Sequence, residues 1–118
     1  MILIVDDSAT NLVLLEVILQ EEGYQTVTAS GVKEAFHIME RTKPELILLD
    51  LLMPEISGFD FLKEAKKNIE ISSIPIFIVS AVGSKENQDK CFDLGAAYFF
   101  SKPIEIPLLL EKVKQYVV

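Results

Sequence analysis

Five short apolar runs, each followed by a segment whose apolar residues recur at helical spacing, constrain this chain more than any other feature. Ile2-Leu3-Ile4-Val5 is too short for a helix and rich in β-branched residues, so it reads as a buried strand. Leu46 to Leu49 and Ile76 to Val79 are equally uninterrupted and read the same way. Tyr24 to Ala29 alternates and carries two threonines, which suits a strand nearer an edge. Tyr98 to Ser101 supplies the fifth strand. Between the strands, Ser8 or Thr10 caps a helix with Leu12, Leu15, Ile18 and Leu19 as its apolar stripe, stopped by Gly23. Val32, Ala35, Phe36 and Met39 form a second stripe, which Lys43-Pro44 ends. Ser57-Gly58 opens a third helix with Phe61, Leu62 and Ala65 on one face. Glu86 to Leu94 is a short polar helix closed by Gly95, and a last helix carries Leu109, Val113 and Val117.

Alternating strands and helices imply right-handed crossovers and a parallel sheet covered on both faces. The expected fold is α/β: a flavodoxin-like five-stranded parallel sheet in the order 2-1-3-4-5, with five helices on both faces. That order puts the most apolar strands, the first, third and fourth, inside. A Rossmann-like order of 3-2-1-4-5 would require a more apolar second strand.

At 118 residues the chain is the size of one domain, expected over residues 1–118. It opens in a strand and closes in a helix, so it reads as a stand-alone domain or one cut from a longer protein. The net charge of −7 disfavours direct contact with nucleic acid, which relies on basic faces, and with anionic membranes. No apolar run approaches a membrane span. The single cysteine, Cys91, excludes an internal disulfide and fits a reducing cytoplasmic setting, with the thiol an inert helix residue.

In sheets of this kind, ligands bind beyond the carboxyl ends of the strands, where strand order reverses. Strand 1 ends in Asp6-Asp7, strand 3 in Asp50, strand 4 in Ser80 and strand 5 in Lys102. Each residue alone is a common turn former or cap; together they bring three carboxylates, a hydroxyl and an ammonium to one rim. Two ionised carboxylates about 5 Å apart repel by roughly 3 kcal/mol at an effective dielectric near ~20. Lys102 offsets only part of this, so either one carboxyl stays protonated or a hard divalent cation lies among them. Oxygen ligands suit magnesium or manganese, and no His or Cys nearby suggests zinc.

The set Asp6-Asp7, Asp50, Ser80-Ala81 and Lys102-Pro103 resembles the receiver domains of bacterial two-component response regulators, of the chemotaxis-regulator type. The likeness spans the chain, from VDDS (Val5 to Ser8) through DLLMPEISG (Asp50 to Gly58) and VSA (Val79 to Ala81) to GAAYFFSKP (Gly95 to Pro103). It implies that Asp50 accepts a phosphoryl group from a phosphohistidine on a histidine kinase or phosphotransfer protein. Asp7 would ligate Mg2+ directly and Asp6 mainly through water, with Asp50 and the Leu52 carbonyl as further ligands. Lys102 would neutralise one phosphoryl oxygen, and Ser80, beside Ala81, would bond another after switching. Phe99 matches the aromatic switch position, and Lys102-Pro103 a peptide bond that is usually cis, accessible only before proline. The resemblance also implies a surface of helix 4, strand 5 and helix 5 that controls an output domain or partner, and that serves many relatives as a homodimer interface. Leu52 and Val82 match positions that tune phosphoryl lifetime, where apolar side chains would slow its loss.

Such a protein is a switch that assists its own phosphoryl transfer and dephosphorylation rather than an enzyme. Asp50 must be ionised to act as nucleophile, and in-line transfer needs positioning and charge neutralisation above all. A metal-dependent phosphatase of the haloacid-dehalogenase pattern wants a second aspartate where this chain has Leu52. A flavodoxin-like cofactor binder wants a hydroxyl- and glycine-rich loop where this chain has Asp6-Asp7-Ser8. A degenerate receiver, used only for dimerisation, is the remaining alternative, and the intact acidic set argues against it. Met53-Pro54 and Gly58 read as shaping the loop around Asp50, His37 as a partly buried or surface histidine, and Glu64 to Lys67 as a solvated helix face.

Overall fold

The computed structural model describes residues 1–53 and 57–117. Pro54, and with it part of the DLLMPEISG segment, lies outside the described residues. The elements are β1 (Ile2–Val5), α1 (Ala9–Glu21), β2 (Thr26–Ala29), α2 (Val32–Arg41), β3 (Leu46–Leu49), α3 (Gly58–Lys67), β4 (Ile76–Ser80), α4 (Lys85–Asp93), β5 (Tyr98–Ser101) and α5 (Ile106–Tyr116). The strands form one parallel sheet in the order β2-β1-β3-β4-β5, as the apolar runs require.

Period-2 alternation sends each strand's side chains to two cores. Leu3, Val5, Ile47, Leu49, Ile76 and Ile78 pack on one face, beneath α2, α3 and α4. Ile2, Ile4, Leu46, Leu48, Phe77 and Val79 pack on the other, beneath α1 and α5. All residues of β1, β3 and β4 are buried, whereas β2 buries only Ala29, which explains their central and edge places. Burying each large aliphatic side chain contributes about 1.5–3 kcal/mol, which is why such runs are confined to the interior strands.

The helix ends follow local chemistry. Ser8, not Thr10, caps α1, its hydroxyl accepting the Asn11 N–H at 3.3 Å. Ser57 and Ser84 cap α3 and α4 in the same way. Gly23 (φ 91°) and Gly95 (φ 103°) take left-handed turns after α1 and α4, a conformation glycine adopts without a Cβ penalty. β2 starts at Thr26 rather than Tyr24 because the Tyr24 N–H returns to Leu19 O to finish the α1 turn. β4 runs one residue past Val79, since Ser80 pairs with Ser101.

The charge run on α3 is only partly a solvated face. Ala65 is buried, and Lys66 curls back to donate from Nζ to Ser72 O and Ile74 O, both at 3.2 Å. These two hydrogen bonds staple the turn after α3, and burial lowers the Lys66 pKa. His37 is a surface residue, with Nδ1 3.8 Å from a Glu40 carboxylate oxygen. Among the described residues no helix is long and apolar enough to cross a membrane.

Cys91 is wholly buried, and desolvation pushes its thiol up to about 11. Since the thiolate is the reactive form, an aromatic disulfide reagent at pH about 8 is expected to leave native Cys91 unmodified. It should titrate one thiol in denaturant, and fast colour release from the native protein would contradict this burial.

Candidate metal and phosphoacceptor site

The sheet's register builds the site. Val5 pairs with Leu49, and the Asp50 N–H donates to Val5 O at 3.0 Å, so Asp6 and Asp50 leave adjacent strands side by side. Asp6 N–H donates to Ala29 O at 3.1 Å, extending the ladder past β1. On the other side, Lys102 N–H donates to Ser80 O at 3.0 Å, which brings the end of β5 against the end of β4. Asp6, Asp7 and Asp50 each offer a carboxylate oxygen within 4.8 Å of the others. The residues singled out from four separate stretches of sequence therefore meet at one rim.

Their roles in the pocket differ. Asp6 is buried and heavily engaged: it accepts from Ser8 N–H at 2.9 Å, from Asn11 Nδ2 at 3.3 Å and from Lys102 Nζ at 3.3 Å. Lys102 Nζ lies farther from Asp50, at 3.7 Å, so the ammonium is shared and leans toward Asp6. Asp7 is exposed, and among the described residues no hydrogen bond or ion pair occupies its carboxylate. Asp50 is 7% exposed, and Leu52 N–H donates to its Oδ1 at 3.4 Å. Burial raises the Asp50 pKa first of all; Lys102 pulls it down, Asp6 pushes it up, and the Leu52 and Leu51 N–H groups lower it.

Three carboxylates facing one ammonium, with Asp50 held above its ordinary pKa, make a pocket with surplus negative charge. A hard divalent cation fits this donor set, because oxygen ligands would be neutralised there without soft or imidazole groups.

Ser80 is fully buried, and its Oγ accepts from Val82 N–H at 3.3 Å. Ala81 and Leu52 are exposed beside the pocket and Val82 is half-buried. Phe99 is 8% exposed and packs into the α2–α3–α4 core, while Tyr98 and Phe100 belong to the opposite core. Strand alternation thus separates Phe99 from its aromatic neighbours, as its position implied. The Lys102–Pro103 peptide is cis.

Gly58 shapes the loop through close packing. A Cβ there would run into the Asp50 carbonyl oxygen and the Leu51 Cα, both backbone atoms that no rotamer change can move. Gly58→Ala is expected to cost about 1–3 kcal/mol, the usual toll of overpacking. Urea melts would check this, and an alanine variant as stable as the parent would show that the backbone at Asp50 and Leu51 yields freely.

Sequence reasoning missed Asn11, whose amide holds Asp6, and the two α4 amides that grip the loop after Ser80. Asn11 lies one helical turn beyond the Ser8 cap, a place where Asn is ordinarily a neutral surface residue, so nothing local marked it.

These features define a doubly wound α/β domain with an acidic pocket at its topological switch point. A family model described as the response regulator receiver domain matches residues 2–114, and the chain belongs to that family. It is 31% identical over 115 residues to the polar-differentiation response regulator DivK of Brucella anthropi, covering 98% of this chain and 94% of that protein. Among solved structures, it resembles a response regulator receiver protein from Pseudomonas putida (TM-score 0.92, 31% identity, covering 97% of this chain and 94% of that one). It also resembles the receiver domain of a signal transduction histidine kinase from Syntrophus aciditrophicus (TM-score 0.90, 33% identity, covering 98% and 88%). The chemotaxis protein CheY4 of Vibrio cholerae matches as well (TM-score 0.91, 27% identity, covering 98% and 97%).

Proposed function

We propose that this receiver domain is a phosphorylation switch: Asp50 takes a phosphoryl group from a phosphohistidine of a histidine kinase or phosphotransfer protein. The observation that carries the reading is the meeting of Asp6, Asp7, Asp50 and Lys102 at one rim, with the Lys102 ammonium 3.3 Å from Asp6 and 3.7 Å from Asp50. Asp7, free of other partners among the described residues, would ligate Mg2+ (or Mn2+) directly, with Asp50 and the Leu52 carbonyl. Asp6, already held by Ser8, Asn11 and Lys102, would act through water. A bound cation supplies charge neutralisation at the transferring phosphoryl oxygens.

This chain's own residues do the rest. Lys102 favours the ionised form of Asp50 and stands ready to pair with a phosphoryl oxygen. The bond that forms joins an Asp50 carboxylate oxygen to phosphorus, and the bond that breaks joins phosphorus to the donor imidazole nitrogen, which leaves with its electron pair. As the phosphoryl group transfers, Ser80 would turn its hydroxyl from Val82 toward it and leave room for Phe99, biasing the α4–β5–α5 face between two packings. That face would address an output domain, a partner protein or a second copy of the domain. Docking of the donor is favoured by half-exposed Val13, Leu14 and Val17 on α1 and by a cleft of about 280 Å³ between α1 and the Lys102–Ile106 segment.

The test is incubation with acetyl phosphate and magnesium, followed by intact mass measurement. One phosphoryl mass gain that disappears with a chelator is expected. No gain with acetyl phosphate, phosphoramidate or a phosphorylated kinase would favour a degenerate receiver that acts only through dimerisation.

A further inference from the structure

The loop after Ser80 is gripped from behind by the first turn of α4. Asn87 donates from Nδ2 to Val82 O at 3.0 Å, and Gln88 donates from Nε2 to Gly83 O at 2.8 Å. Ser84 completes the set, its Oγ accepting Asn87 N–H at 3.2 Å and its carbonyl accepting Gln88 N–H at 3.0 Å. Gly83 also lies so close to β5 that a Cβ would run into the Ser101 side chain. Three consecutive loop residues are thereby fixed, and the first of them, Val82, is the residue whose N–H holds the Ser80 hydroxyl.

Both amides serve as donors to carbonyls, a task that a hydrocarbon of the same shape cannot perform. Their placement is also unusual for a helix start. A polar side chain at the third helical position ordinarily turns back to the cap residue's own N–H. Asn87 reaches past the Ser84 cap to Val82 instead. The helix that bears these amides buries only Cys91 and is further tied by the Lys90 ammonium, 4.2 Å from the Phe59 ring centroid on α3. With so little apolar anchoring, its polar contacts to the loop weigh heavily in where loop and helix settle.

We propose that Asn87 and Gln88 are positioning residues that hold Ser80 in its resting arrangement, so that the Ser80 movement coupled to phosphoryl transfer must release their two hydrogen bonds. The proposal rests on the phosphoacceptor reading of Asp50. Moving the Ser80 hydroxyl toward a phosphoryl group breaks its bond with Val82 N–H and shifts the Val82–Gly83 backbone, whose carbonyls the two amides grip. Removing the donors lowers the cost of that shift without touching Asp50, Lys102 or the acidic cluster.

The experiment compares the wild type with the double variant Asn87→Leu, Gln88→Met, which keeps side-chain shape and adds no charge. Phosphoryl uptake from acetyl phosphate with magnesium is expected to be about fivefold faster, the worth of two net hydrogen bonds at the low end of their usual range. Hydrogen exchange at residues 81–84 should be faster too, with no phosphodonor present. In a Ser80→Ala background the same pair is expected to change the uptake rate less than about twofold, since no hydroxyl remains to be held. The single variants are read in the same assays should the double variant fold poorly. An unchanged rate in the variants, or the same factor with and without Ser80, would overturn the proposal while Asp50 still took up phosphate. A wild type that takes up no phosphoryl group would overturn the phosphoacceptor reading itself, and this proposal with it.

Discussion

Asp50→Asn is expected to abolish phosphoryl uptake and, in the same protein, to raise the melting temperature when no divalent cation is present. The two effects share a cause. Burial and Asp6 hold the Asp50 carboxyl above its ordinary range, so its charged form is tolerated less well in the native state than in the unfolded chain. A raised native pKa means that ionised Asp50 destabilises the fold. That cost is fully present above the native pKa and fades as pH falls through it toward the ordinary value of 3.8. The amide removes the charge and keeps an oxygen for the Leu52 N–H. For a domain of this size each kcal/mol of repulsion removed is worth roughly 4 °C. Melts at neutral pH should therefore show the variant ahead, converging with the wild type near pH ~4. Adding magnesium should narrow the gap by stabilising the wild type, which alone keeps all three carboxylates. A variant that melts below the wild type at neutral pH without magnesium would mean that Asp50 is not a strained charge.

Lys102→Met is expected to act in the opposite sense on stability and in the same sense on chemistry. The methionine keeps the length of the side chain and removes the ammonium that sits 3.3 Å from Asp6 and 3.7 Å from Asp50. Two buried carboxylates would then lack their counter-charge, and breaking such a pair typically costs about 3–5 kcal/mol. Lys102 is 23% exposed, so water recovers some of this and the lower end applies. Magnesium should restore much of the loss by supplying positive charge in the same pocket. Phosphoryl uptake should slow about a hundredfold, the scale on which enzymes lose rate when one positioned donor to developing negative charge is deleted. Urea melts with and without magnesium and timed mass measurements would check both parts. Wild-type uptake in the methionine variant would remove Lys102 from the chemistry and leave it a purely structural counter-ion.

Taken together, the two variants separate charge balance from reactivity. If repulsion in the acidic cluster governs stability, Asp50→Asn and Lys102→Met must move the melting temperature in opposite directions, and magnesium must shrink both shifts. The pocket is then a place where native stability is given up for a reactive carboxylate, a common arrangement at functional sites.

Much of this architecture was legible in the chain before folding. Runs such as Ile2–Val5 and Leu46–Leu49 have no polar face, so they can lie only in the interior of a covered sheet, and the polar Thr26 and Thr28 send β2 to the edge. Serines and glycines at helix ends act through neighbours within a few residues, so Ser57, Gly23 and Gly95 could be read from local spacing alone. The convergence of Asp6, Asp7, Asp50 and Lys102 followed from strand ends and sheet order. What local spacing could not convey is how charge is apportioned among them. Packing alone decided that Asp6 is buried and Asp7 open, that Lys102 leans toward Asp6, and that Asn11, Asn87 and Gln88 grip backbone or carboxylate oxygens near the site. Burial and hydrogen-bond partnership depend on which distant segments come within about 3 Å, and side-chain identity along the chain does not encode such distances.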